Sequence, residues 1–223
     1  MRRFVILVIA IALAITGKVE AQSGEVALVV KGGHNSPLGA FTAVAVQTKY
    51  AAERDFTLRA GVQYNTIARV TAEFRPQYFH DLSFGRVSAE ILFNYTYQSH
   101  LSNYAIGCGA TLDIPRLWAT IGYYHRTMAM GKDALYEPFN LYYELGIRCL
   151  PKREKWDLNV IFTNSQLFEL ERHYQPTLAV ESWWYPLENL GVQLGVNYKS
   201  AGMFHLSSDY YQIYGNVGVC YSW

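Results

Sequence analysis

Across the last fourteen residues, 210–223, one face is almost entirely apolar. Tyr211, Ile213, Val217, Val219, Tyr221 and Trp223 fall on odd positions, while Tyr210, Gln212, Asn216 and Ser222 fall on even ones. Successive side chains of a strand point to opposite faces, so this segment reads as a strand with one apolar face and one polar face. A secretory signal at the other end of the chain narrows the setting further. A strand can cross lipid only when its backbone groups are all paired, which requires a closed barrel. The pattern therefore implies a barrel whose outside meets lipid and whose inside is polar.

The amino terminus carries Arg2 and Arg3, then a twelve-residue apolar stretch over 4–15, then Val19-Glu20-Ala21 as a small-residue cleavage site. That stretch is shorter than the roughly 20 residues needed to span a bilayer. Residues 1–21 are thus expected to be removed, leaving 22–223 as one barrel domain. Loss of Arg2, Arg3, Lys18 and Glu20 takes the chain from 19 basic and 18 acidic residues to 16 and 17. A net charge of −1 gives no case for nucleic acid or for a polybasic membrane contact.

The parity recurs along the chain. Phe56, Leu58, Ala60, Val62 and Tyr64 oppose Asp55, Thr57, Arg59, Gln63 and Asn65. Val70, Ala72, Phe74 and Tyr78 oppose Arg69, Thr71, Glu73, Arg75 and Gln77. Ile91, Phe93, Tyr95 and Tyr97 oppose Glu90, Asn94, Thr96 and Gln98, and Val192, Leu194, Val196 and Tyr198 oppose Gln193, Asn197 and Lys199. Further strands are expected at 25–31, 40–50, 103–114, 116–128, 135–150, 155–166 and 175–186. Twelve strands fit the even count of single-chain barrels with both termini at the periplasmic end; ten is the alternative. The outer loops on this reading are 32–39, around 66–67, 99–102, 129–134, 167–174 and 201–208. None exceeds about ten residues, so no constriction loop or plug is expected.

Aromatic residues make up 15% of the chain, with 18 Tyr, while mean hydropathy is near zero. That pairing suits a barrel, because only alternate residues meet lipid. The three cysteines, Cys108, Cys149 and Cys220, are odd in number and lack metal-ligand spacing. Parity places Cys108 and Cys149 on the lipid face and Cys220 in the lumen, as small apolar fillers.

With these features the chain resembles the outer-membrane β-barrel proteins of Gram-negative bacteria. The likeness rests on the signal, the dyad strands and the terminal Trp223. It implies location in the outer membrane among its lipids, and it implies that Trp223 is read by the barrel-assembly machinery. The class includes channels, lipid enzymes, adhesins and secretion accessories, so fold does not choose a function.

Three groups of residues could carry one. The first is the inward charge set, in which Arg59 is expected near Glu73, Glu73 beside Glu90, and Arg148 opposite Asp157, with Arg75 in the same network. Such a set is either a salt-bridge lattice that stiffens the barrel or the lining of a narrow path for a small solute. Trp118, Tyr124, Tyr142, Trp183 and Tyr214 are expected to fill further lumen volume. The second is His205-Leu206-Ser207. Outer-membrane phospholipases and lipid A deacylases carry a His-x-Ser pair on the outer face, with the His as base for the Ser nucleophile. Here Ser208 follows where those enzymes usually have Asn, and no third residue is in evidence to orient His205, which argues against catalysis. The third is the placement of His34, His100, His125, His173 and His205 at the outer end, with His80 alone at the other. None is paired at i+2 or i+4, so no metal site is expected. No cofactor motif is present. The reading is thus a non-enzymatic barrel for limited solute passage or a structural role, with a lipid hydrolase as the alternative.

Overall fold

The computed structural model describes residues 23–36, 39–53, 55–66, 69–98, 101–153, 155–166, 168–170, 175–200 and 210–223. The expected signal over 1–21 and the pair His205 and Ser207 lie outside the described residues, as do His100 and His173.

Twelve antiparallel strands close into one barrel. In chain order they are β1 (Ser23–Asn35), β2 (Gly39–Glu53), β3 (Phe56–Asn65), β4 (Arg69–Leu82), β5 (Gly85–Gln98), β6 (Leu101–Ile114), β7 (Leu117–Met130), β8 (Asp133–Arg153) and β9 (Trp156–Thr163), then β12 (Thr177–Leu187), β13 (Leu190–Ser200) and β14 (Tyr210–Ser222). Between β9 and β12 lies a separate two-stranded hairpin, β10 (Ser165–Gln166) and β11 (Glu169–Leu170). Each barrel strand pairs with its neighbours in the chain, β9 with β12 across the hairpin, and β1 pairs with β14 to close the seam. At that seam the Gly24 amide donates to the Trp223 carbonyl at 3.0 Å, and the Trp223 amide returns a bond of 3.0 Å to Gly24. Closure gives every barrel strand a neighbour on both sides, which is the condition for a sheet to sit in hydrocarbon.

Burial is inverted relative to a water-soluble protein. Val196 and Ile121 are each 62% exposed on the outside, whereas Lys199 is 1% and Thr71 0% exposed inside. An exposed apolar belt with a buried polar interior is stable only when lipid covers the belt. Aromatic side chains ring both ends of that belt. Tyr64, Tyr97, Tyr104 and Tyr136 lie at one end; Tyr78, Phe84, Trp156, Trp184, Tyr221 and Trp223 lie at the other. These girdles mark the two interfaces with water. The lumenal placement expected for Tyr124, Tyr142 and Tyr214 holds, since all three are buried. Cys108 and Cys149 are exposed and Cys220 is buried, as parity requires.

The end that carries Ser23 and Trp223 has connections of two residues, 54–55, 83–84, 115–116, 154–155 and 188–189. Short turns mark the periplasmic end of such barrels. The strands run further toward the other end than the alternation suggests. Strands β1 and β2 continue until only 36–38 lie between them, and β7 and β8 until only Gly131 and Lys132 do. Gly131, with φ of 63°, takes the first central position of that tight turn, where a side chain would be strained.

One outer connection departs from expectation. Residues 164–166 and 168–170 leave the sheet and fold into the lumen. The view that no loop resembles a constriction or plug is therefore corrected. Strand β9 also ends at Thr163 rather than at 166.

Candidate lumenal site

The inward turn starts where β8 outlasts β9. The last register pair is Glu144 with Thr163, and beyond it β8 loses its partner on that side. Asn164 takes over. Its Oδ1 accepts the Tyr143 amide at 2.8 Å, and its Nδ2 donates to the Leu141 carbonyl at 2.9 Å. The side-chain amide thus stands in for a strand backbone and satisfies groups that would otherwise be orphaned. The chain is then free to turn, and Ser165 N donates to Thr163 Oγ1 at 2.9 Å.

The hairpin is held by two apolar anchors and five hydrogen bonds to the wall. Phe168, 0% exposed, clusters with Val29 on β1 and Ala45 on β2. Its ring lies over Gly61 on β3, where a Cβ would come within 2.5 Å of Cζ. Only glycine fits there, because any larger residue would collide with the ring. Leu170 clusters with Leu92, Ala105, Tyr124 and Tyr142 on β5 to β8. Among the polar anchors, Arg75 Nη2 donates to Ser165 Oγ at 3.1 Å, and the Phe168 amide donates to Glu73 Oε2 at 3.2 Å. Arg126 Nη2 donates to the Leu170 carbonyl. Gln166 Nε2 donates to Asn197 Oδ1 at 2.6 Å, while Gln166 Oε1 accepts from Tyr214 Oη. Phe168 also holds a φ of 68°, uncommon for a bulky residue and maintained only where neighbours fix it.

Below the hairpin, on the periplasmic side, lies a charged chamber in two adjoining parts of about 290 and 420 Å³. Both parts are lined by Arg59, Arg75, Glu144 and Ser165.

The lumenal charges meet in an arrangement other than the expected one. Arg75, not Arg59, is the cation between the two carboxylates: its Nε is 2.7 Å from Glu73 and its Nη1 3.7 Å from Glu90. Glu73 also accepts from Asn94 at 3.0 Å, and Glu90 accepts the Tyr142 hydroxyl at 2.9 Å. Arg59 faces Arg75 across the strand pair, and Gly61 faces Glu73. Arg59 forms no ion pair among the described residues. Arg148 does not pair with Asp157. It reaches Asp113 at 2.8 Å, two strands away, with its guanidinium 4.9 Å from the Trp118 ring centre. Asp157 instead accepts the Trp183 amide at 3.2 Å. In register Arg148 faces Asn159, one pair away from the expected position.

The pair His205 and Ser207 lies outside the described residues. Among the described residues, no His, Cys, Asp or Glu cluster could hold a metal ion. His125 stacks on Tyr136 at 6.3 Å on the outer wall, an interfacial aromatic contact.

No family model matches the chain, and no curated protein does. Solved structures do. The KdgM porin in complex with disordered oligogalacturonate is similar at 16% identity and a TM-score of 0.56, over 88% of this chain and 99% of that one. The translocator domain of the autotransporter NalP from Neisseria meningitidis is similar at 13% identity and 0.58, over 94% and 92%. The NanC porin is similar at 12% and 0.56, over 87% and 98%. At such identities the likeness concerns fold, and the fold of this chain is that of a twelve-stranded outer-membrane β-barrel.

Proposed function

We propose that this protein is a non-enzymatic channel of the outer membrane, made with residues 1–21 as a cleaved signal, that passes a small solute through a lumen narrowed by the inserted hairpin. The observation that carries the reading is the charged chamber bounded by Ser165 and Gln166. A barrel that served only as a membrane scaffold has no need of open, charged volume. A lattice built for stiffness would pair its charges, since an unpaired charge away from bulk water is unfavourable. The similarity in fold to two porins, one solved with an acidic oligosaccharide, supports solute passage. Trp223, whose backbone closes the seam with Gly24, remains the proposed signal for the assembly machinery.

Selection in such a narrow path rests on the groups that line it. Planar-bilayer recording on purified protein tests the reading. Small, steady unitary currents are expected, together with swelling of proteoliposomes in a neutral pentose such as arabinose. Absence of both current and swelling from correctly folded protein would contradict it.

A further inference from the structure

The chamber carries charges of both signs, and four of them make no direct ion pair among the described residues. On one wall Lys49, Arg59 and Arg75 stand in a row across β2, β3 and β4, each directly opposite the next, with Glu25 of β1 opposite Lys49 at the end of the row. Like charges placed opposite each other across strands are unfavourable. Arg75 is committed to Glu73, Glu90 and Ser165. Lys49 and Arg59 have no carboxylate within 4.0 Å among the described residues. Across the chamber stand Glu144 on β8 and Glu181 on β12. Each accepts one neutral hydrogen bond, Glu144 from Trp118 Nε1 at 2.5 Å and Glu181 from Gln193 Nε2 at 3.2 Å. Neither has a cation within 4.0 Å among the described residues.

We propose that the chamber binds a small dipolar solute carrying both a carboxylate and an ammonium group, of the amino-acid kind, with the carboxylate toward Lys49 and Arg59 and the ammonium toward Glu144 and Glu181. This deepens the solute-passage reading and uses its chamber. An anion would answer one wall and leave the other unneutralised; a cation would do the reverse. A neutral sugar would answer neither. A dipolar molecule lying across the chamber completes both sets of charge-assisted hydrogen bonds, which are the stronger kind. The two parts of the chamber, about 290 and 420 Å³, are of the size of small-molecule sites, roughly 300–1,000 Å³. The row of like charges is the kind of local conflict that folded proteins retain where function requires it.

Binding can be read apart from passage, because Trp118 and Trp183 line the chamber. The purified full chain in detergent is titrated with glutamine, gluconate, choline and arabinose while tryptophan fluorescence is followed. A saturable change is expected with glutamine at concentrations at least about tenfold below those needed for the other three. The paired variants Lys49→Gln with Arg59→Gln, and Glu144→Gln with Glu181→Gln, should each weaken glutamine binding about tenfold or more. Heat-modifiable mobility on a gel checks that both variants still form the barrel. A tighter response to gluconate, or a glutamine response that survives loss of either wall, overturns the proposal. Glutamine binding by a protein that carries no current would overturn the passage reading and leave the dipolar site standing. Current without any preference for glutamine would do the opposite.

Discussion

The barrel wall and the hairpin inside it are both β-structure, yet they are held in different ways. The wall is a continuous ladder of backbone hydrogen bonds, closed from β1 round to β14. Each residue needs only the right parity to belong to it. The hairpin has just two register pairs of its own, Ser165 with Leu170 and Gln166 with Glu169. Two-stranded hairpins are marginal alone, so its position depends on the side chains that receive it. Wall stability is therefore shared among many equivalent contacts. Hairpin stability rests on a few: Arg75, Glu73, Arg126, Gln166 and the seats of Phe168 and Leu170.

Four measurements test that contrast, and the largest effect is expected where the two regions meet. Arg75→Ala removes the cation between Glu73 and Glu90 and the donor to Ser165. Breaking such a buried pair should destabilise by about 3–5 kcal/mol in urea unfolding from lipid. Arg59→Ala, which removes a charge with no partner at ion-pair distance, should change stability by less than about 0.5 kcal/mol. Equal effects would mean that Arg75 is not the hub.

Within the wall, Val196→Arg places a charge on the lipid face and should cost about 2–4 kcal/mol near the midplane. At the junction, Asn164→Ala leaves the Tyr143 amide and Leu141 carbonyl without their side-chain partners. A local loss of about 1–3 kcal/mol is expected, seen as faster hydrogen exchange at Tyr143 while the distant β1–β14 seam keeps its protection. Faster exchange throughout the barrel would show that the hairpin and wall unfold as one unit. Smallest in energy is the register itself. Single cysteines at Phe93 and Asn94 should label from lipid and from water respectively, since Phe93 is exposed outside and Asn94 is buried inside.

Parity alone makes the wall legible in the amino-acid sequence. It assigns faces to Val196, Phe93, Asn94 and all three cysteines, and it places Tyr124, Tyr142 and Tyr214 in the lumen. It is weaker on level. A slip of two residues keeps every side chain on its face but moves it one pair along the partner strand. Such a slip puts Glu73 rather than Arg75 opposite Arg59, and Asp157 rather than Asn159 opposite Arg148. Turn lengths and bulges set the level, and neither is encoded in the alternation. The hairpin escapes the pattern for another reason: 155–166 continues as a plausible strand, and 167–174 is an ordinary loop in length. The signal that marks it is compositional. Phe168 and Leu170 are large apolar residues in an outer connection, where polar residues are expected, and Asn164 before them can substitute for backbone pairing.

The central claim is that the hairpin of β10 and β11 narrows a conducting lumen, and unitary conductance in planar bilayers tests it most directly. Phe168→Ser with Leu170→Ser removes both apolar seats of the hairpin while leaving the wall ladder intact. A conductance several-fold above that of the unaltered protein, with unchanged urea stability of the barrel, is the expected result. The same conductance in both proteins would contradict the account, because a hairpin that sets the width of the path cannot be loosened without widening it.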